Sequence, residues 1–292
     1  MNHLVSVVII TNNHPEKLIN AIKSVQNQTY KNLEVLIVDG ANSDQNKFTV
    51  DMYSKDDIRI KYVPVEQDAI NYDSQKGMQH SRNVGCKLSK GKYIAMLDDD
   101  DTWEPTKIEK QLKTFENNCN VGLVMSYSKI INGNNVFIDK TKLQPTYNDL
   151  LKGFNLSSTS SFMIKRDVLK LIGYWNENLH GMHEHDLALR IADKQYKIIV
   201  VPEPLFTKQW DIVGKSSNQK GKYFRIKITE LFDFWHYYGR DALRNLDTTD
   251  FCMVSIKSIA LFFLYTLGYV GGSNILNSLL SMRIFVRDFY GV

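Results

Sequence analysis

Apolar runs alternate with helical patterns over the first part of the chain. Three of these runs, Leu4–Ile10, Leu33–Val38 and Ile58–Val63, are short and rich in β-branched residues, as is typical of strands buried on both faces of a parallel sheet. Pro15 opens a helical pattern after the first run, because proline suits the first position of a helix. The apolar side of that helix consists of Leu18, Ile22 and Val25. This alternation predicts a parallel, right-handed wound α/β sheet.

A fourth apolar run, Tyr93–Leu97, ends abruptly in four consecutive carboxylates, Asp98–Asp101. The pattern predicts a buried strand with acidic side chains at its carboxyl end, followed by a helix that begins at Pro105. Ligands of open α/β sheets bind at the carboxyl ends of the strands. We therefore expect the acidic edge to face a binding site that also holds Thr11 and Asp39, which end the first two strands.

The second half of the chain adds shorter strand-like runs to this sheet. Val121–Tyr127, Thr159–Ile164 and Lys197–Val201 are predicted as strands, and Asn132–Asn135 is predicted as the turn of a hairpin. Hairpin-connected strands run antiparallel, so the predicted sheet is mixed but mostly parallel, with flanking helices. No internal repeat interrupts this organisation.

The four adjacent carboxylates indicate a cation site. Neighbouring negative charges raise each other's pKa unless a cation or bound donors compensate them. Mg²⁺ and Mn²⁺ prefer oxygen ligands and commonly use one or two carboxylates, with substrate phosphates at other positions. Alternate side chains of a strand point the same way, so Asp98 and Asp100 are expected to share one task. The alternative is a solvated acidic turn that caps the next helix.

Two further stretches contain residues that could bind a substrate or act as a base. Arg82 lies on a predicted helix just before the acidic strand, and guanidinium groups suit phosphate or carboxylate recognition. Glu184 and Asp186 open a later predicted helix, where a carboxylate held at the helix start can act as a general base. The histidines around them leave a zinc site open as a second interpretation, although the His-Glu-x-x-His spacing is absent. They are His180, His183 and His185.

Composition places the chain among ordinary globular proteins. It has 292 residues, of which 43% are hydrophobic and 23% charged, enough for one large domain with an extension. Three widely spaced cysteines favour a reducing compartment and argue against a structural zinc site. The first residues run straight into strand-like sequence without a basic leader, so we expect a cytoplasmic protein. No nucleic-acid partner is expected.

The net charge of +4 lies in the last third, where from Leu205 onward 11 Lys and Arg stand against 7 Asp and Glu. The apolar run Ile259–Gly272 in this part is too short to span a bilayer, which takes roughly 20 residues. The apolar stripe that follows it carries Arg283 and Arg287. Two interpretations stay open: helices that lie on an anionic membrane surface, or a helical hairpin packed on the catalytic domain or on a second subunit of a homo-oligomer.

Four ordered motifs resemble the inverting family 2 glycosyltransferases, which have the GT-A fold. Ser6–Asn13 is similar to the opening strand of that family, and Val38–Asp44 to its Val-Asp-Asp-Gly-Ser-Thr-Asp segment, with Gly40 in place of the second aspartate. Ser81–Gly85 resembles its Ala-Arg-Asn-x-Gly motif, and Leu97–Pro105 its metal-binding Asp-x-Asp segment. The resemblance covers about the first 205 residues. It implies a catalytic domain over residues 1–205 and a helical extension over residues 206–292.

The resemblance also implies roles for individual residues. The nucleotide-sugar would contact Thr11, Asn13, Asp39, Arg82, Asp98 and Asp99. Asp100, together with Asp98, would hold the Mn²⁺ or Mg²⁺ ion that bridges the diphosphate. The base of the family lies six residues before an arginine, which here is Arg190, so Glu184 is the first candidate and Asp186 the second. The implied reaction is metal-dependent transfer of a sugar, expected from UDP, to a hydroxyl of a glycan or lipid-linked acceptor.

Two other functions remain as alternatives. A nucleotidyltransferase that makes sugar nucleotides also pairs an α/β sheet with Mg²⁺, but the segment after the first strand lacks its Gly-rich, basic phosphate loop. A non-catalytic protein that binds cations or glycans would not need a base such as Glu184.

Overall fold

The computed structural model describes residues 3–65, 74–152, 156–179, 181–209, 234–250 and 254–255. The chain divides into two compact units, Met1–Val213 and Gly214–Val292. The predicted boundary between residues 205 and 206 stays a prediction, although the last strand of the first unit continues to Gln209.

The first unit is a mixed α/β sheet with helices along its connections. Its strands are β1 (Val5–Thr11), β2 (Leu33–Asp39), β3 (Ile60–Pro64), β4 (Tyr93–Asp98), β5 (Asp101–Trp103), β6 (Val121–Asn132), β7 (Asn135–Asp139), β8 (Met163–Lys165) and β9 (Lys197–Gln209). Its helices are α1 (Pro15–Gln26), α2 (Asp44–Ser54), α3 (Ser74–Leu88), α4 (Lys107–Asn117), α5 (Tyr147–Leu151), α6 (Arg166–Leu171) and α7 (His183–Asp193). A 3-10 helix, Thr159–Ser161, precedes β8.

The described strands form a single sheet in the order β3-β2-β1-β4-β8-β6-β9-β5, with β7 paired to β6. β1 to β4 are mutually parallel, whereas β8 runs antiparallel to both β4 and β6. β6 and β9 are parallel, and β5 and β7 add antiparallel pairs. The predicted fold class, a mostly parallel mixed sheet flanked by helices, is therefore confirmed.

The central strands are buried along their whole length, which explains their continuous apolar sequence. Every residue of β1 and β2 is buried, because helices cover both faces of this part of the sheet. Helix α3 approaches β1 so closely that a Cβ atom on Gly85 would lie 2.5 Å from Val8 Cγ1. Glycine at this position therefore sets the distance between the helix and the sheet.

One local prediction was wrong. The predicted strand Thr159–Ile164 is a strand only from Met163, since Thr159–Ser161 forms a 3-10 turn closed by hydrogen bonds from Ser161 N to Ser158 O and from Phe162 N to Thr159 O. The acidic run lies at the carboxyl end of β4 as predicted, and its last residue, Asp101, begins a further strand, β5, which was not predicted and pairs with β9.

In the second unit, residues 234–245 and 248–250 are helical. Several of their side chains are buried, namely Phe234, Trp235, Tyr238, Ala242 and Leu246. The predicted C-terminal helices, for which a membrane surface and a packed hairpin both stayed open, lie outside the described residues, as do Ile259–Gly272, Arg283 and Arg287. None of the helices in the described ranges is both long enough and apolar enough to cross a membrane.

Candidate active site

The carboxyl ends of β1, β2 and β4 meet at one edge of the sheet. Thr11 of β1 pairs with Asp39 of β2, and Ile10 pairs with Asp98 of β4. The structure thus brings the predicted residues Thr11, Asp39 and Asp98 together, as expected for neighbouring parallel strands. Their roles toward a ligand stay predictions.

Asp39 is fully buried and accepts four hydrogen bonds from the protein. Oδ1 accepts from the backbone N–H of Ala41 (3.0 Å) and from the side-chain amide of Asn46 (3.1 Å). Oδ2 accepts from the backbone N–H of Ser43 (2.8 Å) and from the hydroxyl of Tyr62 (2.9 Å). A carboxylate has about four lone-pair sites, so these bonds saturate it. Asp39 thereby fixes the turn between β2 and α2.

The side chains of Thr11 and Asp99 are hydrogen-bonded to each other beside that turn. The Thr11 hydroxyl donates to Asp99 Oδ2 (2.7 Å), and the Nδ1 atom of His14 lies 3.2 Å from the same oxygen. Burial raises the pKa of Asp99 above its usual value, although the Thr11 hydrogen bond and His14 oppose the shift. Asn13 adopts a left-handed backbone (φ 59°) and accepts a hydrogen bond from Ser43 (3.1 Å). This pairing links the β1–α1 loop to the turn after β2.

Arg82 is almost completely buried between the acidic edge and an aromatic ring. Its guanidinium donates to Asp98 Oδ1 (3.0 Å) and to Gln79 Oε1 (3.0 Å). The guanidinium carbon also lies 5.1 Å from the centre of the Trp175 ring, within the range of a cation–π contact. Arg82 therefore neutralises part of the acidic run from within the protein.

The 3-10 helix connects the acidic edge to the predicted base. The Ser160 hydroxyl accepts a hydrogen bond from the backbone N–H of Asp98 (3.1 Å), and the hydroxyl of the preceding residue, Thr159, donates to Glu184 Oε1. Thr159 and Ser160 are fully buried. Hydroxyl groups enclosed in this way need partners, and here the partners are the two parts of the candidate site.

Glu184 lies in the first turn of α7 with a defined electrostatic environment. Burial raises its pKa, but the positive charge of Arg82 and the Thr159 hydrogen bond outweigh burial, so the pKa lies below its usual value. The carboxylate is therefore ionised at neutral pH and able to accept a proton.

Asp186 is held differently from Glu184. Its Oδ2 accepts from Arg190 Nε (3.0 Å) and from a terminal nitrogen of the same guanidinium (2.5 Å). Arg190 also donates to the backbone carbonyls of Ile172 and Tyr174, both at 2.7 Å. Asp186 is 1% exposed and orients Arg190, which connects α7 to the preceding loop. This engagement favours Glu184 over Asp186 as the base.

The remaining carboxylates of the acidic run differ in exposure. Asp100 is exposed, whereas Asp101 is 1% exposed and neither of its oxygens has a well-oriented hydrogen-bond donor among the described residues. Burial and then the negative charge of Asp98 raise the pKa of Asp101 to about 7, against smaller opposing effects of Ser160 and Lys208. A cavity of about 630 Å³ adjoins these residues, with Lys17, Asn20 and Lys23 of α1 in its wall.

The donor set of this edge fits a hard divalent cation. Asp98 and Asp100 offer carboxylate oxygens at the end of β4, and the buried oxygens of Asp101 lie in the same segment. Within the described ranges no three His, Cys, Asp or Glu side chains surround a common point. Mg²⁺ and Mn²⁺ do not require such a cage, because one or two carboxylates and the phosphates of a substrate suffice.

The histidines of the alternative zinc site were His180, His183 and His185. The His185 ring interacts with the backbone carbonyl of Leu150 through Nε2 (2.5 Å), and burial lowers the pKa of His185. His183 is buried, and His180 lies outside the described residues.

Sequence reasoning missed several residues that shape the site. Thr159 and Ser160 were assigned to a strand, and nothing in the sequence signalled that their hydroxyls face Asp98 and Glu184. Asn46 and Tyr62 bind Asp39 from α2 and β3, respectively. His14 was not singled out as a site residue, although it directly follows Asn13 and lies beside Asp99 of the acidic edge.

Comparisons with known proteins agree with this architecture. The family model "Glycosyl transferase family 2" matches residues 6–173. An uncharacterised glycosyltransferase of Methanocaldococcus jannaschii is 31% identical over 238 residues, which cover 80% of this chain and 77% of that protein. The Escherichia coli UDP-Glc:alpha-D-GlcNAc-diphosphoundecaprenol beta-1,3-glucosyltransferase WfgD is 35% identical over 154 residues, 52% of this chain and 56% of WfgD.

Solved structures share the fold at low sequence identity. S. aureus TarS 1-349 in complex with UDP-GlcNAc matches with a TM-score of 0.66 and 15% identity, covering 97% of this chain and 80% of that one. The mannosyltransferase PcManGT from Pyrobaculum calidifontis, in complex with GDP-Man and Mn²⁺, matches with a TM-score of 0.61 and 16% identity, covering 98% and 81%. The chain belongs to glycosyltransferase family 2 and has the GT-A fold.

Proposed function

We propose that the protein transfers a sugar from a UDP-sugar to a hydroxyl of a glycan or lipid-linked acceptor, with inversion at the anomeric carbon. The donor proposal is supported by two similar proteins, since the name of WfgD specifies UDP-Glc and the TarS complex contains UDP-GlcNAc. The acceptor of WfgD is linked to diphosphoundecaprenol, which supports a lipid-linked acceptor here.

The observation that carries the proposal is the position of Glu184. Its carboxylate is fixed by Thr159, while the next residue of the same 3-10 helix, Ser160, binds the backbone of Asp98. A candidate proton acceptor is thus tied to the acidic edge through two adjacent residues. A base close to the predicted diphosphate site is the arrangement that sugar transfer requires.

The reaction follows from this placement. Glu184 takes the proton of the acceptor hydroxyl while that oxygen attacks the anomeric carbon from the face opposite the leaving group. The new carbon–oxygen bond forms as the bond between the anomeric carbon and the phosphate oxygen breaks, and UDP leaves with the bonding electron pair. Attack from the opposite face inverts the anomeric configuration.

Asp98 and Asp100 would hold the Mn²⁺ or Mg²⁺ ion of this reaction. When bound, such an ion stabilises the negative charge that develops on the leaving diphosphate. The pairing of Asp98 Oδ1 with Arg82 leaves its other oxygen for this purpose. The Mn²⁺ in the PcManGT complex supports the same choice of cation.

The nucleotide pocket is proposed at Thr11, Asn13, Asp39, Arg82 and Asp99. Asp39 acts by fixing the turn after β2, because its lone pairs already accept four protein hydrogen bonds. Arg82 acts by fixing Asp98 and by its charge toward Glu184. Thr11 and Asn13 supply the rim of the pocket on the β1–α1 side.

Glu184→Gln and Asp186→Asn form a matched pair of variants that tests the assignment. UDP release from a panel of UDP-sugars is measured with polyprenyl-diphosphate-linked sugars as acceptors, and UDP affinity is measured by calorimetry. Glu184→Gln should keep UDP affinity and lose transfer by 10²-fold or more, since general bases contribute about 10²–10⁴-fold. Asp186→Asn should lower thermal stability while folded protein keeps most of its transfer rate.

Each contrary outcome has a distinct meaning. Loss of transfer in Asp186→Asn together with an active Glu184→Gln would assign the base to Asp186. Binding of UDP without turnover of any donor in the wild type would favour a non-catalytic protein.

A further inference from the structure

The hairpin formed by β6 and β7 exposes an unusual run of apolar side chains. Val136, Phe137 and Ile138 are consecutive in β7 and are 56%, 53% and 44% exposed. In the described part of the chain β7 pairs with β6 alone, so it is an edge strand. Edge strands of soluble proteins usually carry charges or bulges that prevent association, whereas this one carries three adjacent apolar residues.

The apolar surface of the hairpin lies on both of its faces. Phe137 pairs with Ile130 across the strands, and Val136 pairs with Ile131. Successive residues of a strand point to opposite faces, so these two pairs lie on opposite sides of the hairpin. A partner that packs against one face of the hairpin leaves the other face in water. A lipid bilayer that the hairpin enters contacts both faces.

Basic side chains flank the apolar residues. Residues 128–143 contain three lysines, Lys129, Lys140 and Lys142, against one acidic residue, Asp139. Lys129 pairs directly with Ile138 in the register, and Lys140 is exposed next to the end of β7. Lys142 forms an ion pair with Asp149. Apolar side chains bordered by lysines match the boundary between the acyl chains and the headgroups of an anionic bilayer.

The hairpin projects from the edge of the sheet that carries the acidic run. Ala95 of β4 pairs with Met163 of β8, which pairs with Val124 of β6, so β4 and β6 are parallel and in step. At that register Asp98 lies level with Tyr127 of β6. From Tyr127 the strand continues for five more residues, to Asn132. At about 3.3 Å per residue the end of β6 lies about 16 Å beyond the level of Asp98. It lies only two residues beyond Ile130, which is level with Asp101 because both residues pair with Lys208 of β9.

We propose that the β6–β7 hairpin docks into the surface of an anionic lipid bilayer through the apolar residues of β7. Val136, Phe137 and Ile138 enter the boundary with the acyl chains, and Lys129 and Lys140 contact the anionic headgroups. Because the hairpin and the acidic edge face the same way, this contact turns the candidate active site toward the membrane. The proposal goes beyond the proposed reaction and is tested without substrate, so the failure of one leaves the other standing.

A fluorescent probe at position 137 in β7 tests insertion directly. The full chain carrying Phe137→Cys, with Cys119→Ser and Cys252→Ser, is labelled with the polarity-sensitive dye NBD and mixed with phosphatidylcholine vesicles with or without 30% phosphatidylglycerol. We expect a blue shift and increased intensity with the anionic vesicles only. The control carries the dye at Phe48→Cys on α2, a position that is 68% exposed but lies outside the hairpin, and should show no shift.

Vesicle sedimentation with unlabelled variants tests the energetic contribution. Val136→Thr, Phe137→Thr and Ile138→Thr together keep β-propensity and should weaken binding to anionic vesicles about tenfold or more. Lys129→Gln and Lys140→Gln should each weaken it about fivefold at low salt and less at high salt. Phe48→Ser is the control: it removes an apolar side chain that is more exposed than any of the three but lies outside the hairpin, and it should bind as the wild type does.

Several outcomes would overturn the proposal. An NBD signal at position 137 that does not change while the protein sediments with vesicles would show that another surface binds. Unchanged sedimentation of the triple threonine variant would also show that another surface binds the vesicles. The apolar run Ile259–Gly272, which is present in every variant, would then be the candidate. A lipid-free dimer that the triple variant dissociates, without vesicle binding by the wild type, would assign the hairpin to contact between copies.

Discussion

Replacing Asp39 by asparagine should destabilise the fold through the turn after β2. The carboxylate is fully buried, and each of its oxygens accepts two hydrogen bonds, one of them from a backbone N–H group. The amide of an asparagine has one acceptor and one donor end. Whichever way it is oriented, its NH₂ group faces the backbone N–H of either Ala41 or Ser43, and that N–H loses its acceptor.

The size of the effect follows from these contacts. A buried donor without an acceptor costs about 1–3 kcal/mol, and the hydrogen bonds that remain are weaker because they no longer involve a charge. The sum is a loss of about 2–4 kcal/mol in the free energy of unfolding. For a unit of this size each kcal/mol lowers Tm by about 2–4 °C, so Tm should fall by about 5–15 °C.

Thermal unfolding followed by circular dichroism measures the shift, with Tyr62→Phe as the control. That variant removes one of the four donors, is nearly isosteric and leaves both backbone N–H groups satisfied, so Tm should fall by only about 2–4 °C. A fall in Asp39→Asn that is no larger than the fall in Tyr62→Phe would refute the reasoning. It would show that the side chain is not the acceptor that fixes this turn.

Three further predictions concern the base, the cation and a buried lysine. Thr159→Val removes the hydrogen bond that helps to lower the pKa of Glu184, so the loss of transfer activity in acid should move to higher pH; an unchanged pH profile would contradict this. Asp100→Ala should weaken UDP binding about tenfold or more in calorimetry with Mn²⁺ and little without it, while Asp56→Ala, another exposed aspartate, changes neither; equal cation dependence in both variants would remove Asp100 from the site. Burial lowers the pKa of Lys107, so below about pH 10 the unfolded state binds more protons than the folded state and stability rises with pH. As the pH rises from 7 to 10, the Tm of the wild type should therefore increase relative to the Tm of Lys107→Met. Curves of Tm against pH that run parallel for the two proteins would disprove the prediction.

The residues whose positions in the fold were predicted correctly lie on elements with strong local patterns. β1, β2 and β4 are apolar throughout because they are buried, so their ends, and with them Thr11, Asp39 and Asp98, were visible in the sequence. Helix α7 was visible from its periodicity, and the resemblance to the family then selected Glu184 from its first turn.

The parts that were missed depend on contacts between distant segments. Strand β5 consists of three residues and exists because it pairs with β9, about 100 residues later, through Asp101 and Lys208. The hydroxyl-rich segment before β8 has the alternation of a strand, but its hydroxyls satisfy Asp98 and Glu184 and the backbone turns instead. No local pattern encodes such partners, so single-sequence reasoning missed β5 and assigned the hydroxyl-rich segment incorrectly.

The four consecutive aspartates were predicted from mutual repulsion to share a cation, and the structure gives each of them a different environment. Asp98 is paired with Arg82, Asp99 is bonded to Thr11 and His14, Asp100 is exposed, and Asp101 is buried with a pKa of about 7. Much of the repulsion is therefore relieved within the protein, without a cation. The exposed carboxylate of Asp100 and one oxygen of Asp98 remain available to a cation. Mg²⁺ or Mn²⁺ commonly takes only one or two protein carboxylates when the phosphates of a substrate supply other ligands. On this reasoning the cation should bind tightly only together with the nucleotide, because the protein alone offers it an incomplete shell.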